Sequence, residues 1–273
     1  MKKSIISLSF LTLLIVGIST SCKKKEVEEK DDSATQLADA SAVNDENSFI
    51  NEVWKSGSAC NYDYTQLSGA CVTVTETSTT FPKVITFDFG AGCTGPNGHT
   101  KKGKIIVDMS GPLTDIGATR SISFDEFYLN DYKITGTKDL TNEGLNSAGN
   151  LNVKVVGNIS ATGLKGTVNK TFTHNIEWIG HATCTITDDE LKVSGSGILS
   201  GVNGGQLKYV STSPVHVKYG CSYAVSGIID FGPTAQQGAI LDYGNGTCDE
   251  YATITTKKDS KVYIFNMQTR KIE

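Results

Sequence analysis

The chain has 273 residues, seven cysteines and a formal net charge of −4 at pH 7. A nucleic-acid-binding domain needs a basic face, so this charge argues against a nucleic acid as the partner. The sequence also lacks the GxSxG, HExxH and GxxxxGK(S/T) patterns of common hydrolase, zinc and phosphate sites, and we expect no cofactor.

The first 22 residues have the three parts of a secretory signal peptide. A basic pair at Lys2 and Lys3 precedes an apolar run over Ile5–Ile18, which is too short to span a bilayer stably. Small residues then lead directly to Cys22, as at a bacterial lipoprotein cleavage site. We predict a palmitate-type lipid anchor on Cys22, which makes the membrane a partner and places the protein in the cell envelope. We expect an outer-membrane lipoprotein that faces the periplasm or the cell surface.

Residues 23–47 are rich in charge and contain almost no large apolar side chain. Such a segment cannot bury enough apolar surface to offset the entropy lost on ordering, so we predict a flexible tether. Residues 48–273 are predicted to form a single antiparallel β domain. A short helix over Ser48–Lys55 is consistent with the spacing of its apolar residues.

From Cys60 onward, apolar and polar residues alternate with a period of two. Three stretches show the alternation best: KVITFDF at 83–89, KIIVDM at 104–109 and LNVKVV at 151–156. All five prolines lie between stretches of this kind. The pattern is typical of half-buried strands. We predict an all-β fold, in which an antiparallel meander of hairpins forms a sandwich or a partly open barrel stapled by disulfides.

Six cysteines remain once Cys22 is assigned to the lipid anchor. An exported chain reaches a compartment where disulfides form and persist, so three bridges are expected. Buried free thiols are the alternative, and no CxxC or HxxxH spacing indicates a zinc site. Four of these cysteines pair by symmetry about a turn, and elimination then pairs Cys60 with Cys184.

Two cysteine pairs are symmetric about a turn in the sequence. Cys71 and Cys93 are equidistant from the proline of TSTTFPK, and Cys221 and Cys248 from the middle of GPTAQQG. Residues opposite each other in an antiparallel pair have Cα separations of about 4.5 to 5.5 Å, which a disulfide accepts. We therefore predict that each pair forms a disulfide at the open end of a hairpin.

Nearly the same phrase accompanies one cysteine of each pair: DFGAGC at 88–93 and DYGNGTC at 242–248. A strand that ends on a bridged cysteine and then turns needs residues without Cβ strain, which the glycines provide. The aromatic residue, Phe89 or Tyr243, is predicted to anchor the strand end by burial. An old duplication and the independent use of common hairpin chemistry both explain the repeat.

One loop concentrates positive charge beside two glycines. The side chains of interest are His99, Lys101, Lys102 and Lys104. They are a candidate anion-binding loop for a sugar acid or a lipid headgroup. The alternative is a solvated hairpin tip whose charge discourages edge-to-edge pairing.

The second phrase offers oxygen atoms from Asp242, Asn245 and Asp249, at a spacing that faintly resembles a calcium loop. The regular ligand alternation of an EF-hand is missing, and a plain Asn-Gly turn is the alternative. His174 falls on the same face of a predicted strand as Phe172 and is interpreted as a core residue. His181 lies three residues before a cysteine, a spacing that points the two side chains in opposite directions.

Four motifs between about residues 71 and 265 carry a resemblance to other proteins: FPKVITFDFGAGCTGPNGHTKKGKIIVDMSGPL, YKITGTKDLTNEGLNSAGN, GCSYAVSGIIDFG and LDYGNGTCDEYATIT. They resemble a family of exported lipoproteins of Bacteroidetes that has no assigned activity. The resemblance implies the same compartment and fold and implies nothing about mechanism.

The sequence therefore favours a membrane-anchored envelope lipoprotein that acts as a non-catalytic binding or structural module. A glycan, a lipid or a protein is the expected kind of ligand. One alternative is a carrier that holds acyl chains against a concave sheet. The other is a glycan hydrolase, which would need two carboxylates roughly 5 to 10 Å apart in a cleft.

Overall fold

The computed structural model describes residues 71–94, 100–180, 189–201, 205–234, 237–269 and 271–273. Fifteen strands occur in these ranges. They are β1 (Thr73–Glu76), β2 (Lys83–Asp88), β3 (Cys93–Thr94), β4 (Thr100–Met109), β5 (Thr119–Leu129), β6 (Tyr132–Leu145), β7 (Leu151–Gly163), β8 (Gly166–Ile179), β9 (Glu190–Ser200), β10 (Gln206–Lys218), β11 (Ser226–Thr234), β12 (Gln237–Asn245), β13 (Tyr251–Thr256), β14 (Val262–Asn266) and β15 (Lys271–Ile272). No helix in the described ranges is long and apolar enough to cross a membrane.

The strands form one antiparallel sheet in which almost every strand pairs with its neighbours in the chain. The order runs from β1 to β15, except that the two-residue strand β3 lies off this path and pairs only with β4. The sheet is not closed, since β1 and β15 lie at its two ends. The predicted all-β antiparallel meander is confirmed, and its strands belong to one continuous sheet.

Alternation in the sequence corresponds to alternation in burial. In β2, Ile85 and Phe87 are fully buried whereas Val84 and Thr86 are half-buried. The same alternation runs through β7, where Val153 lies on the buried face. One apolar cluster joins the buried faces from β1 to β14. The period-two pattern therefore identified the core-facing residues of these strands correctly.

Glycine and aromatic residues alternate across the buried face of the central strands. Cross-strand register pairs Gly157 with Phe172, Phe172 with Gly197 and Gly197 with Tyr209. A Cβ at Gly157 would overlap the Phe172 ring, and one at Gly197 would lie 2.6 Å from the Tyr209 ring. Each ring thus packs over a glycine on the neighbouring strand. It fills the space that the glycine side chain does not occupy and shields the backbone there from solvent.

Both hairpin disulfides are confirmed. Cys71 bonds to Cys93 and Cys221 bonds to Cys248, with Cα separations of 5.1 and 5.4 Å. The expected placement of these cysteines directly opposite each other in a ladder needs correction for both pairs. The β11–β12 ladder ends at Ser226 and Asn245, so Cys221 and Cys248 lie just beyond it. Register pairs Thr73 with Asp88, so the β1–β2 ladder ends before Cys93, which lies in β3 instead. The bridge spans the turn that follows the ladder.

Two prolines correct the expectation that every proline lies between strands. Pro214 lies within β10 and Pro233 within β11. The register of β10 with β11 shifts twice between Ser211 and His216, which marks an irregularity at Pro214. A bulge tolerates a residue without an N–H group. Gly227 lies next to Pro214, because a Cβ added to Gly227 would lie 2.5 Å from the Pro214 carbonyl oxygen.

Several predictions concern residues outside the described ranges. They are the signal segment with Cys22, the tether at 23–47, the helix over Ser48–Lys55, the Cys60–Cys184 bridge, and the histidines His99 and His181. These remain predictions from the sequence.

Candidate functional site

The two repeated phrases share one local hydrogen bond, from the amide of the first glycine to the aspartate two residues before it. In the first copy, Asp88 Oδ1 accepts a hydrogen bond of 2.8 Å from the amide of Gly90, and in the second, Asp242 Oδ1 accepts one of 2.9 Å from Gly244. The glycines have φ angles of 56° and 97°, a region that L-residues seldom occupy. The prediction of a glycine after the strand holds for Gly90, which follows β2. Gly244 lies inside β12 instead, where the register with β11 shifts between Ser226 and Ile228.

The two copies differ in the residue that faces the aspartate from the next strand. Asp88 lies opposite Lys104, whose ammonium group is 3.8 Å from the carboxylate. Asp242 lies opposite Thr253, which is neutral. Within the described ranges, neither Asp242 nor Asp249 has a cationic side chain at ion-pair distance. The second copy therefore keeps negative charge that the first copy neutralises.

A pocket of about 270 Å³ lies at this second copy, where β12, β13 and β14 meet the loop that follows β12. Asp242, Asn245 and Asp249 supply carboxylate and amide groups, and Tyr251 and Ile264 supply apolar surface. The structure thus brings together the three residues that the sequence singled out at this phrase. The disulfide at Cys248 ties their loop to the segment before β11.

Each polar side chain of the pocket also holds its own loop in place. Besides the Asp242 contact, Asn245 Oδ1 accepts a 2.7 Å hydrogen bond from the Thr247 hydroxyl, and Asp249 Oδ1 accepts a 2.9 Å bond from the amide of Tyr251. In the described part of the chain, the second oxygen of each carboxylate and the Asn245 NH₂ group make no further hydrogen bond. These atoms remain available to a ligand in fixed positions.

The electrostatic environment of the pocket is negative. The pKa of the Tyr251 hydroxyl is raised, chiefly by the charge of Glu250 and then by that of Glu273. Burial raises the pKa of Tyr243 to about 12, so both tyrosines keep their protons at neutral pH. An anionic ligand would meet repulsion here, whereas a neutral or cationic one would not.

The weak metal-site prediction at Asp242, Asn245 and Asp249 gains no further support. Among the described residues, no group of three or more His, Cys, Asp or Glu side chains is placed to hold a metal ion. The pocket supplies two carboxylates and one amide, mixed with aromatic and aliphatic surface. This lining suits an organic ligand better than a hard cation, which prefers a shell of oxygens.

The three described lysines of the predicted anion-binding loop lie on strand β4 and not in a loop. The ammonium group of Lys101 lies 5.6 Å from the Phe89 ring centre, and that of Lys102 lies 5.2 Å from the Tyr128 ring centre. Lys104 instead pairs with the carboxylate of the first copy. The three described lysines therefore have three different neighbours, and their joint binding of an anion stays a prediction.

His174 lies on the buried face of β8, as the alternation predicted. Its Nε2 atom is 2.9 Å from the Tyr209 hydroxyl, and its ring centre is 4.6 Å from that of Phe172. Burial lowers the pKa of His174 to about 3, helped by the charges of Lys170 and Lys138. The imidazole is therefore neutral at physiological pH and packs as a core residue.

Sequence reasoning missed Tyr251 and Ile264, which form the apolar part of the pocket. Both are exposed, at 42% and 43%, on strands whose alternate residues are buried. The available signal was the presence of large apolar residues at the outward positions of YATITT and VYIFN. Outward apolar residues of this kind mark a binding surface when they adjoin a cavity.

No family model, curated protein or solved structure matches the chain.

Proposed function

We propose that the protein is a lipid-anchored module of the bacterial cell envelope that binds its ligand without transforming it. The observation that carries this proposal is the pocket beside the Cys221–Cys248 bridge. Hydrogen bonds within its own loop hold Asp242, Asn245 and Asp249 before any ligand arrives. A site ordered in advance loses less entropy on binding, which favours recognition.

Two features of the cysteines support a compartment outside the cytoplasm. A signal-like segment that stops at Cys22 supports an anchor in the outer membrane, as does the resemblance to exported Bacteroidetes lipoproteins. Two disulfides in the folded part support an oxidising space outside the cytoplasm. The predicted tether would let the β domain stand away from the membrane on its periplasmic or outer side.

The anchor is tested by metabolic labelling with a palmitate analogue. We expect Cys22→Ala to lose the label and to leave the membrane fraction, while Ser33→Ala in the tether keeps both. Label that survives in Cys22→Ala would contradict the anchor.

Binding without turnover is tested on the full chain, purified with its disulfides intact. The probes are lipopolysaccharide, peptidoglycan fragments and phospholipid vesicles, each followed by thermal unfolding and by mass spectrometry of the recovered probe. We expect one probe to raise the melting temperature, since a ligand at a hundred times its Kd stabilises by about 2.7 kcal/mol. The probe should be recovered unchanged. Conversion of a probe to a product would contradict a purely binding role.

A glycan hydrolase is the second candidate, because Asp242 and Asp249 line the same pocket. Paired carboxylates are what glycoside hydrolysis requires. In a hydrolase, Asp242→Asn or Asp249→Asn would stop product formation while sugar still bound. In a binding module, the same changes would lower affinity, and neither the native chain nor the variants would form product.

The carrier hypothesis has less support. A carrier needs an open apolar groove, whereas Ile85, Phe87, Leu140 and Ile159 have no exposed surface. The apolar face of the described strands is filled by its own side chains. An acyl chain would have to displace this packing to enter.

A further inference from the structure

The pocket at the second copy presents carboxylate acceptors, an amide and hydroxyl groups beside an apolar wall. Asp242 and Asp249 each have a carboxylate oxygen that no hydrogen bond in the described ranges uses, and Asn245 has its NH₂ group. Thr253 adds a hydroxyl, since it lines the same pocket. A ligand that fits must therefore offer several hydroxyl or amino donors at short spacing together with an apolar face.

The apolar wall extends beyond the pocket. Register pairs Thr253 with Ile264 and Thr255 with Val262, so Ile264 and Val262 lie on the same face of β14. These two side chains are 43% and 62% exposed, and Tyr251 at the pocket is 42% exposed. Ile264 and Val262 thus extend the exposed apolar surface of the pocket along β14.

The negative charge at the pocket disfavours anionic ligands among those that carry hydroxyl or amino donors. Asp242 and Asp249 have no cationic partner in the described ranges, and Glu250 lies beside them in sequence. The raised pKa of Tyr251 has the same origin, namely the charges of Glu250 and Glu273. Phosphates, sulfates and sugar acids are therefore disfavoured.

We infer that this pocket binds a saccharide residue that is neutral or carries an amino group. Sugar hydroxyl and amino groups donate to Asp242 and Asp249, and the C–H face of the ring packs on Tyr251. The apolar surface of Ile264 and Val262 receives a neighbouring residue of the chain. This inference rests on the proposed binding function and names the class of ligand for the same site.

The test is a titration of the full chain with three tetrasaccharides that differ in charge. They are a glucosamine tetramer, cellotetraose and a glucuronic acid tetramer, followed by saturation-transfer NMR in the presence of EDTA. We expect the glucosamine tetramer to bind at least as tightly as cellotetraose and the glucuronic acid tetramer at least tenfold more weakly. EDTA should change nothing, because no metal bridges ligand and protein.

Three variants locate the binding. Asp242→Asn keeps the oxygen that accepts from Gly244 but removes the charge, and we expect about a tenfold loss of affinity for the glucosamine tetramer. Tyr251→Leu removes the ring at an exposed position and should cost a similar factor. Asp88→Asn makes the same change in the first copy and is the matched control, with affinity unchanged. Thermal unfolding checks that all three fold.

The inference is overturned if none of the three tetrasaccharides binds, if the glucuronic acid tetramer binds best, or if Asp242→Asn and Tyr251→Leu bind as the native chain does. The proposed function fails separately. If phospholipid vesicles bind at the pocket and sugars do not, the ligand class is wrong and the binding function stands. If a tetrasaccharide is cleaved, the site is a sugar site and the non-catalytic role is wrong.

Discussion

At the scale of single residues, the burial of His174 makes the stability of the fold depend on pH. It lies between Phe172 and Tyr209 in the buried face, and burial together with Lys170 and Lys138 lowers its pKa to about 3. In the unfolded chain the pKa returns to about 6.5. Between these values the unfolded chain binds a proton that the folded chain does not.

The difference between the folded and unfolded pKa of His174 makes the folded protein less stable as the pH falls. The stability that neutral His174 contributes is complete above pH 6.5 and is lost as the pH falls toward 3, by at most about 1.4 kcal/mol per pH unit. We expect His174→Gln to flatten the fall in unfolding free energy between pH 6.5 and 4.5, measured by urea denaturation. His216→Gln is the comparison variant, since it removes a histidine at another site, bonded to Glu190, and leaves the packing of Phe172 and Tyr209 around His174 intact. An unchanged slope in His174→Gln would contradict the assigned burial.

Gly157 tests the alternation of glycine and aromatic residues. A methyl group there would overlap the buried Phe172 ring, so the ring must move from its packed position. We expect Gly157→Ala to lower the unfolding free energy by about 1 to 3 kcal/mol, as overpacking does. Urea denaturation measures the change.

Gly201 is the matched control for that substitution. Its nearest non-neighbouring atom would lie 3.9 Å from an added Cβ, so Gly201→Ala should change stability by less than about 0.5 kcal/mol. The double variant Gly157→Ala with Phe172→Leu should recover part of the loss, because the smaller side chain vacates the space. Equal effects at Gly157 and Gly201 would argue against the ring-over-glycine contact.

At the scale of elements, the hairpins explain what sequence reasoning could reach. Strand positions follow from the period-two pattern, and each disulfide from its symmetry about a turn, because both depend on local spacing. The register between strands does not follow from spacing alone. The β1–β2 ladder ends at Asp88 rather than at the cysteine, and Pro214 lies at an irregularity inside β10. A β-bulge shifts the register between two strands by one residue, and no clear sequence pattern predicts where it occurs.

The Cys221–Cys248 bridge should matter for both stability and binding. In the chain-entropy model, removing a bridge that closes a 27-residue separation costs about 3 to 4 kcal/mol. We expect Cys221→Ser with Cys248→Ser to show this loss in urea denaturation and to weaken sugar binding, because Asp249 follows the bridged cysteine directly.

The first bridge supplies the comparison. Cys71→Ser with Cys93→Ser opens a separation of 22 residues and should cost a similar free energy. It lies at the other copy of the phrase, so sugar binding by the folded protein should be unchanged. If both double variants lose binding equally, the bridge beside the pocket has no special role in holding it.

At the scale of the whole sheet, the sequence predicts an antiparallel meander because short turns join consecutive strands. It does not predict that fifteen strands form one sheet, since sandwich and open-barrel arrangements share the same local pattern. The full lining of the pocket, like the single sheet, could not be predicted from local sequence. Asp242, Asn245 and Asp249 were visible as a phrase, whereas Tyr251 and Ile264 join them only through the pairing of β12, β13 and β14.

Backbone amide chemical-shift mapping with the glucosamine tetramer tests the central claim, that the protein recognises its ligand at the second copy of the repeated phrase. The result expected is a set of shifts confined to the pocket, largest at Gly244, Gly246 and Tyr251, with small changes elsewhere. Shifts that are largest at Lys101, Lys102 and Lys104, or that are absent from the β12–β13 loop, would contradict it.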